Sequence, residues 1–377
     1  MSAVARVGVI GGGAAGMAAA ILLADGGVTV EVVEAKPDLS ALGSGITLSG
    51  NALRVLRGLG VWEEVRAHGY SFDKVAFRAP DPHGTVLAEV PDARLGGPDL
   101  PATTGMYRPD LARILAERAR GAGARIRFGV AATGLEQAAA GVELATSDGV
   151  TEHYDLVIGA DGLHSATRQM LGIDVAPVPT GMGIWRAFTG RPASITHTDL
   201  YYGGPCFIAG YCPTGEDSIY AYLVEPAQDR SGVSDDEALA IMRGLAEAYH
   251  GPWDDIRPLL STGSRINYTW FTQHLIPGAW NRGRVVLIGD AAHSCPPTMA
   301  QGAAMALEDA AVLAELLLAA DTVDDGLWNA FHERRSARVR AVVDASVQLG
   351  QWLLDGERDA DVPGLIGRLH PKIATPA

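Results

Sequence analysis

The chain is poor in cysteine and has no long apolar run, no internal repeat and no low-complexity linker. Cysteine occurs three times in 377 residues, at Cys206, Cys212 and Cys295. So sparse and odd a count argues against a disulfide scaffold and for reduced thiols in a cytoplasmic setting. Cys206 and Cys212 have no second pair to complete a zinc site, and no metal is expected. No segment approaches the roughly 20 apolar residues of a membrane span, so no membrane partner is expected. The apolar stretch 7–24 is broken by glycines, lacks a basic leader and runs into Asp25, unlike a secretory signal. Positive charge is also short. A net charge of −14 repels nucleic-acid phosphates and argues against a nucleic-acid partner. It leaves a small anionic ligand open, because local dipoles and a few arginines can outweigh the global charge.

Hydrophobic residues make up 47% and charged residues 20%. That balance, at this length, suits two or three domains around a large core. Residues 6–10 read as a short buried strand, and the alanines with Ile21, Leu22 and Leu23 read as a helix. Between them lies G-x-G-x-x-G. Gly11 permits the tight turn, Gly13 lets backbone approach a pyrophosphate, and Gly16 lets helix and strand touch. Ala14 and Ala15 open the helix, whose free N–H groups and positive dipole end suit phosphate. A second strand over 28–34 ends in Glu34, followed by Ala35, near the offset of an acid that holds a ribose hydroxyl.

Two further strands end in acids. Residues 155–160 run into Asp161-Gly162, followed by Ser165 and Arg168. Asp161 reads as a nucleotide contact and as half of a structural ion pair with Arg168, since one residue can do both. Residues 285–289 run into Asp290, then His293, the rigid turn Pro296-Pro297, and a long helix opening at Gln301-Gly302-Ala303.

In this order the three stretches resemble the FAD-dependent aromatic hydroxylases, the single-component flavoprotein monooxygenases of the p-hydroxybenzoate hydroxylase type. The resemblance covers about residues 4–318. It implies an α/β chain with a discontinuous Rossmann-like FAD-binding domain (1–70, 102–174 and 278–320). A mostly antiparallel β-sheet substrate domain is inserted (71–101 and 175–277), and a helical segment (321–377) closes the chain. It implies non-covalent FAD, with Arg108 reaching the cofactor and Asp290 binding a ribityl hydroxyl. The start of the Gly302 helix then points at the flavin. The segment Gly43-Ser44-Gly45 is similar to the family's flexible glycine loop. No second G-x-G-x-x-G is present, so NADH or NADPH visits a groove, and nothing in the sequence selects between them. The implied reaction is hydroxylation of a small aromatic or N-heteroaromatic molecule by O2, through a C4a-hydroperoxyflavin. The competing readings are an oxygen-independent flavin reductase or dehydrogenase of the same fold, and a flavin-binding regulatory module. A monomer or homodimer is expected.

The substrate region shows short strands over 75–78, 85–88, 184–189, 207–211, 218–224 and 266–270. Tyr220, Tyr268 and Arg186, with Pro296 and Pro297, are the candidate catalytic residues. Tyr211, Arg265 and Gln301 are the candidate substrate contacts, with His197 as a further possibility. Packing in a core or a surface ion pair is the competing reading for each. Pro297-Thr298-Met299-Ala300-Gln301-Gly302 resembles the branch containing 3-hydroxybenzoate 6-hydroxylase, salicylate hydroxylase and 6-hydroxynicotinate 3-monooxygenase. Several members carry a histidine-tyrosine pair on a central strand. Here the matching place reads Gly210-Tyr211, which argues against a simple hydroxybenzoate.

Overall fold

In the computed structural model, residues 3–38 and 45–377 are described; Gly43 and Ser44 of the expected glycine loop lie outside them. The apolar runs Arg6–Ile10, Leu156–Gly159 and Val285–Leu287 are buried along almost their whole length. Such runs, covered on both faces, form parallel sheets. They assemble a six-stranded sheet in the order Asn281–Arg282, Val285–Leu287, Leu156–Gly159, Arg6–Ile10, Thr29–Glu34, Arg125–Phe128. Only the edge pair at Asn281–Arg282 is antiparallel. The first strand lies in the middle, with Thr29–Glu34 on one side and Leu156–Gly159 on the other. The strand order reverses there, and in open α/β sheets ligands bind at the C-terminal strand ends beside that reversal.

Helices Ala14–Asp25 and Gly302–Ala319 pack together over this sheet, with Arg108–Gly121 beside the first. The Gly302–Ala319 helix carries Glu308 and Asp309 inward to Arg335 of the long helix Asp325–Asp355, and all three side chains are buried. A small antiparallel sheet of Ala132–Ala138, Gly141–Thr146 and Thr151–Tyr154 closes the opposite side. The sequence reading did not contain it: its outer strand alternates weakly and is largely exposed.

The second large sheet has eight strands, and all its neighbours pair antiparallel except Thr198–Tyr202 with Lys74–Arg78. The expected strand over 184–189 runs much further, as Val178–Gly190. Thr198–Tyr202 was not expected at all. One face of this sheet is covered by helices Asp235–Ala246 and Pro252–Ile256 and buries Trp185, Tyr211, Tyr249 and Trp253. The other face carries Met182, Ile184, Val224 and Phe271 against Leu353 and Leu354 of the long helix. Beside them Tyr220 and Cys212 pack with Phe72. Among the described residues, no helix is long and apolar enough to cross a membrane.

Candidate active site

The glycine loop is built by close contact. Gly11 has φ of 107°, a conformation glycine adopts without strain. A Cβ there would lie 2.3 Å from the Ala160 carbonyl oxygen, and one on Gly16 would lie 2.0 Å from that of Gly11. Gly13 differs: it is exposed, and a Cβ on it meets nothing within 4 Å. A side chain at Gly13 would fill the crevice rather than strike the protein. The helix starting at Ala14 has no side-chain cap, so its first N–H groups, on Ala14, Ala15 and Gly16, remain available to a phosphate. Glu34 accepts the Gly12 N–H at 2.6 Å and the Lys36 N–H at 2.9 Å. It braces the loop from the strand end, and Ala35 beyond it is exposed.

Asp161 closes its own turn. Its carboxylate accepts from Ser165 Oγ at 2.5 Å and from the Thr167 N–H and Oγ1, each at 2.9 Å. The expected ion pair with Arg168 does not form. Arg168 donates instead to the carbonyls of Ala291 and Leu163, each at 2.9 Å. Arg168 as a whole is 2% exposed and its pKa is lowered, mainly by burial. The second motif is thereby tied to the third, one residue after Asp290.

Asp290 is held ready rather than engaged. Gly289 donates its N–H to Asp309 Oδ2 at 2.9 Å, His293 Nε2 lies 2.7 Å from the same oxygen, and Arg335 Nε donates to Oδ1 at 2.7 Å. Burial pushes the Asp309 carboxyl up, but His293 and Arg335 outweigh it and its pKa is lowered. Asp290 projects from the turn so fixed and makes no hydrogen bond among the described residues. It is exposed to solvent, yet desolvation by surrounding protein raises its pKa, with His293 and Arg108 as the opposing charges. Exposure combined with desolvation places Asp290 on the wall of a cleft. Arg108, at the start of its helix, is exposed and makes no ion pair among the described residues. Its charge lies near enough to Asp290 to favour the ionised carboxylate there.

The start of the Gly302 helix is clamped from behind. Gln301 is 3% exposed; its Oε1 accepts from Asn51 Nδ2 at 2.9 Å and its Nε2 donates to Ser49 Oγ at 2.8 Å. Gln301 was expected to touch substrate; with both amide ends engaged, it locks the helix start to the strand Gly45–Ser49 instead. Ala300, just before it, has φ of 51°, a strained conformation for a residue with a side chain. Gly302 and Ala303 are partly exposed, a Cβ on Gly302 would enter open space, and no side chain caps the helix. Pro296 is buried and Pro297 exposed, at the head of the short turn Pro297–Met299.

Strand parity sorts the expected substrate residues. Arg186 donates from Nε to the Tyr220 hydroxyl at 3.0 Å and from Nη1 to Thr269 Oγ1. Both Arg186 and Tyr220 lie on the face toward the nucleotide layer, where Tyr220 packs over Gly45. Tyr268 does not. It sits in register with Trp185, its ring is 4.8 Å from that indole, and its hydroxyl accepts the Gln228 N–H at 2.9 Å. Tyr211 is 1% exposed, donates to Asp199 Oδ2 at 2.6 Å, and lies edge-on to Trp253. Both tyrosines belong to the helix-covered face, so neither meets the cleft, contrary to expectation. His197 lies 3.2 Å from Asp199 in the same cluster. Arg265, in the left-handed region with φ of 46°, donates to the Tyr107 hydroxyl. Tyr107 in turn stacks on Phe188 at 4.1 Å, next to Arg108.

The residue not anticipated is Tyr222. It shares the parity of Tyr220, and their rings are 5.1 Å apart. Burial and acidic neighbours hold its pKa well above the ordinary phenol value, and its hydroxyl has no hydrogen bond among the described residues. Gly210 lies beside it in register, and a Cβ there would come within 2.7 Å of the phenol oxygen. The spacing Tyr220-x-Tyr222 within one strand, which puts both rings on the same face, was the available signal.

The family model described as FAD binding domain matches residues 4–346. YetM of Bacillus subtilis (strain 168), itself a provisional FAD-dependent monooxygenase, is 32% identical over 96% of this chain and 97% of its own. The 6-hydroxynicotinate 3-monooxygenase of Pseudomonas fluorescens is 29% identical over 95% of this chain and 94% of its own. The crystal structure of a mutant 2-methyl-3-hydroxypyridine-5-carboxylic acid oxygenase superposes with a TM-score of 0.80 at 26% identity, covering 98% of this chain and 96% of the other. The open Gly13 cradle, the unpartnered Asp290 and two uncapped helix starts fit the pyrophosphate, ribityl chain and ring of FAD. The chain belongs to the FAD-dependent aromatic hydroxylases and is a flavoprotein monooxygenase that uses FAD with NADH or NADPH.

Proposed function

We propose that the chain inserts one atom of O2 into an electron-rich aromatic or N-heteroaromatic ring held against the sheet face around Tyr220 and Tyr222. One observation carries this reading: the strand Gly45–Ser49 joins the two halves of the site. Its Ser49 end is bonded to Gln301 at the helix start, and its Gly45 end lies against Tyr220. Five residues of strand separate those ends by roughly 13 Å, a span suited to a flavin ring with a substrate beyond it. Two of the three named relatives act on heteroaromatic rings, and it is the ring that transfers to this chain.

FAD, when bound, accepts hydride and activates oxygen. The chain supplies the rest. Ala14 and Ala15 offer N–H groups to the phosphates, while Glu34 with Ala35 lies at the adenosine ribose. Asp290 takes a ribityl hydroxyl, and Arg108 adds a cation to the cleft. The N–H groups of Gly302 and Ala303 favour negative charge on the reduced ring. Pro296, Pro297 and the aromatic wall exclude water. Tyr222, whose pKa is held high, stays neutral and donates its proton in a hydrogen bond to the substrate. Arg186 fixes the Tyr220 hydroxyl beside it. The reading extends to a cytoplasmic monomer or homodimer, a setting supported by three unpaired thiols.

The test is a panel of aromatic acids, pyridines and larger phenols with the FAD-loaded enzyme. O2 uptake stimulated by substrate, with a product heavier by one oxygen atom, is expected. NAD(P)H oxidation with no oxygenated product from any member would make the chain a reductase.

A further inference from the structure

Arg186 stands on the cleft face of its strand with no opposite charge beside it. Tyr222 is its in-register neighbour on one side and Asn267 on the other. Opposed residues of an antiparallel pair share a face, so the three side chains form one row across the sheet. Arg186 is partly exposed. Its Nε donates to the Tyr220 hydroxyl at 3.0 Å and its Nη1 to Thr269 Oγ1. Both acceptors are neutral, so they orient the guanidinium and leave its charge unbalanced. Among the described residues Arg186 makes no ion pair, and its Nη2 makes no hydrogen bond. The other arginines of the region differ. Arg108 lies in the field of Asp290, and Arg265 lines a small cavity with Asp235.

Asn267 supplies the second half of a recognition pair. Its Oδ1 is buried and has no hydrogen-bond partner among the described residues. A buried amide oxygen left unpaired is costly, and native folds keep few of them. The guanidinium next to it in register does not serve it, because Arg186 is drawn to Tyr220 and Thr269 instead. The Cβ atoms of such a pair lie about 4.5–5.5 Å apart, so one small molecule can touch both side chains. What fits there is a negative oxygen for the guanidinium with a hydrogen-bond donor beside it for the amide oxygen.

We propose that Arg186 and Asn267 select the substrate together: it carries an anionic oxygen, received by Arg186, and an N–H or O–H on the adjoining position, received by Asn267 Oδ1. The inference rests on the hydroxylase reading for the place of the ring, beside Tyr222, and adds its chemical class, an aromatic acid with an ortho donor. A charge-assisted bond to a guanidinium is stronger than a neutral one. An uncharged ring would bury part of Arg186 with nothing to answer its charge. An acid without the neighbouring donor would seal the Asn267 oxygen from water unpaired.

The experiment titrates the FAD-loaded enzyme with 2-aminobenzoate and its uncharged counterpart 2-aminobenzamide. Benzoate and 2-methoxybenzoate, which keep the carboxylate and lack the donor, complete the series. Dissociation constants are read from the perturbed flavin absorbance. 2-Aminobenzoate is expected to bind about ten-fold tighter than the amide, or more, the worth of a hydrogen bond to a charged group. It should bind about five-fold tighter than the two acids without a donor, the worth of one neutral hydrogen bond. Arg186→Gln should erase the preference for the acid over the amide, and Arg186→Lys should restore part of it. Asn267→Leu, close in volume, should erase the preference for the ortho donor and keep the preference for the acid. FAD content should match the parent in all three variants. Acid and amide binding alike, no gain from the ortho donor, either preference surviving its own variant, or no flavin perturbation by any of the four would each overturn the proposal. Ligands that bind in the expected order, with no oxygenated product from any aromatic compound, would sink the hydroxylase reading and support this one. Oxygenation of uncharged rings alone would do the reverse.

Discussion

Arg335 and Asp309 form a wholly buried pair, Nε to Oδ1 at 2.7 Å, and through it the long helix sets the turn that presents Asp290. The same guanidinium reaches Glu308 at 3.0 Å. Removing one partner of such a pair leaves a buried charge and costs about 3–5 kcal/mol. Arg335→Met is therefore expected to lower urea stability by that order. FAD retention should also fall, because Asp309 no longer holds Gly289 in place. An unchanged urea midpoint with full FAD content would show that Glu308 and Asp309 find other partners, Arg338 being the nearest for Glu308.

A pH dependence follows from His274. Its pKa falls from 6.5 to about 4, by desolvation first and then by the charges of Arg168 and His293. The side chain is 4% exposed, and Nδ1 lies 2.8 Å from Ser294 Oγ. Between these values the unfolded chain binds a proton that the folded chain refuses. Stability therefore declines as pH drops from about 6.5 toward 4, by up to about 3 kcal/mol at one unit per 1.36 kcal/mol. His274→Gln should flatten that stretch of a stability-against-pH curve. Parallel curves for parent and variant would assign the acid sensitivity to other groups.

Two glycines of one motif separate binding from folding. Gly16→Ala would put a methyl 2.0 Å from the Gly11 oxygen, so the loop itself must move. Gly13→Val meets open space and should leave melting of the apoprotein near that of the parent while abolishing FAD retention. Asp290→Ala should weaken FAD by about 1.5–3 kcal/mol, the worth of a hydrogen bond to a charged group. The apoprotein should be no less stable for it, since the carboxylate has no partner to lose. Flavin fluorescence on dilution measures both. Full yellow occupancy in Gly13→Val would remove the loop from the cofactor site.

Much of this site was readable because its signals are local. A buried strand, a glycine turn and a helix start lie within ten residues of one another, and their backbone geometry follows from residue type. What stayed hidden depends on distant partners or on parity. Gln301 is engaged by Ser49 and Asn51, some 250 residues earlier, and no spacing rule reveals that. Arg168 could have met Asp161 on charge alone, but the Ala291 carbonyl is what the fold puts before it. Tyr211 and Tyr268 are credible pocket residues by type. A strand turns alternate side chains to opposite faces, and which face met the cleft was fixed only by pairing, of Tyr268's strand with Val178–Gly190 and of Tyr211's strand with Ser218–Pro226.

That parity makes the three tyrosines a direct test of the site. Tyr268→Phe removes a hydroxyl that serves the Gln228 N–H on the far face; product per NAD(P)H should match the parent. Tyr222→Phe removes a hydroxyl without an internal partner, and the stability cost should be small. If that hydroxyl orients the substrate, coupled hydroxylation should fall about ten-fold or more, the worth of one hydrogen bond of roughly 1.5 kcal/mol. FAD content should stay normal, and the lost product should be recovered as hydrogen peroxide. Tyr220→Phe is intermediate: Arg186 loses one acceptor at 3.0 Å but keeps Thr269, so a smaller loss of coupling is expected. The measurement is product and peroxide per NAD(P)H consumed, with substrate saturating. Parent-like coupling in Tyr222→Phe together with uncoupling in Tyr268→Phe would reverse the assignment of faces and move the substrate to the helix-covered side of the sheet.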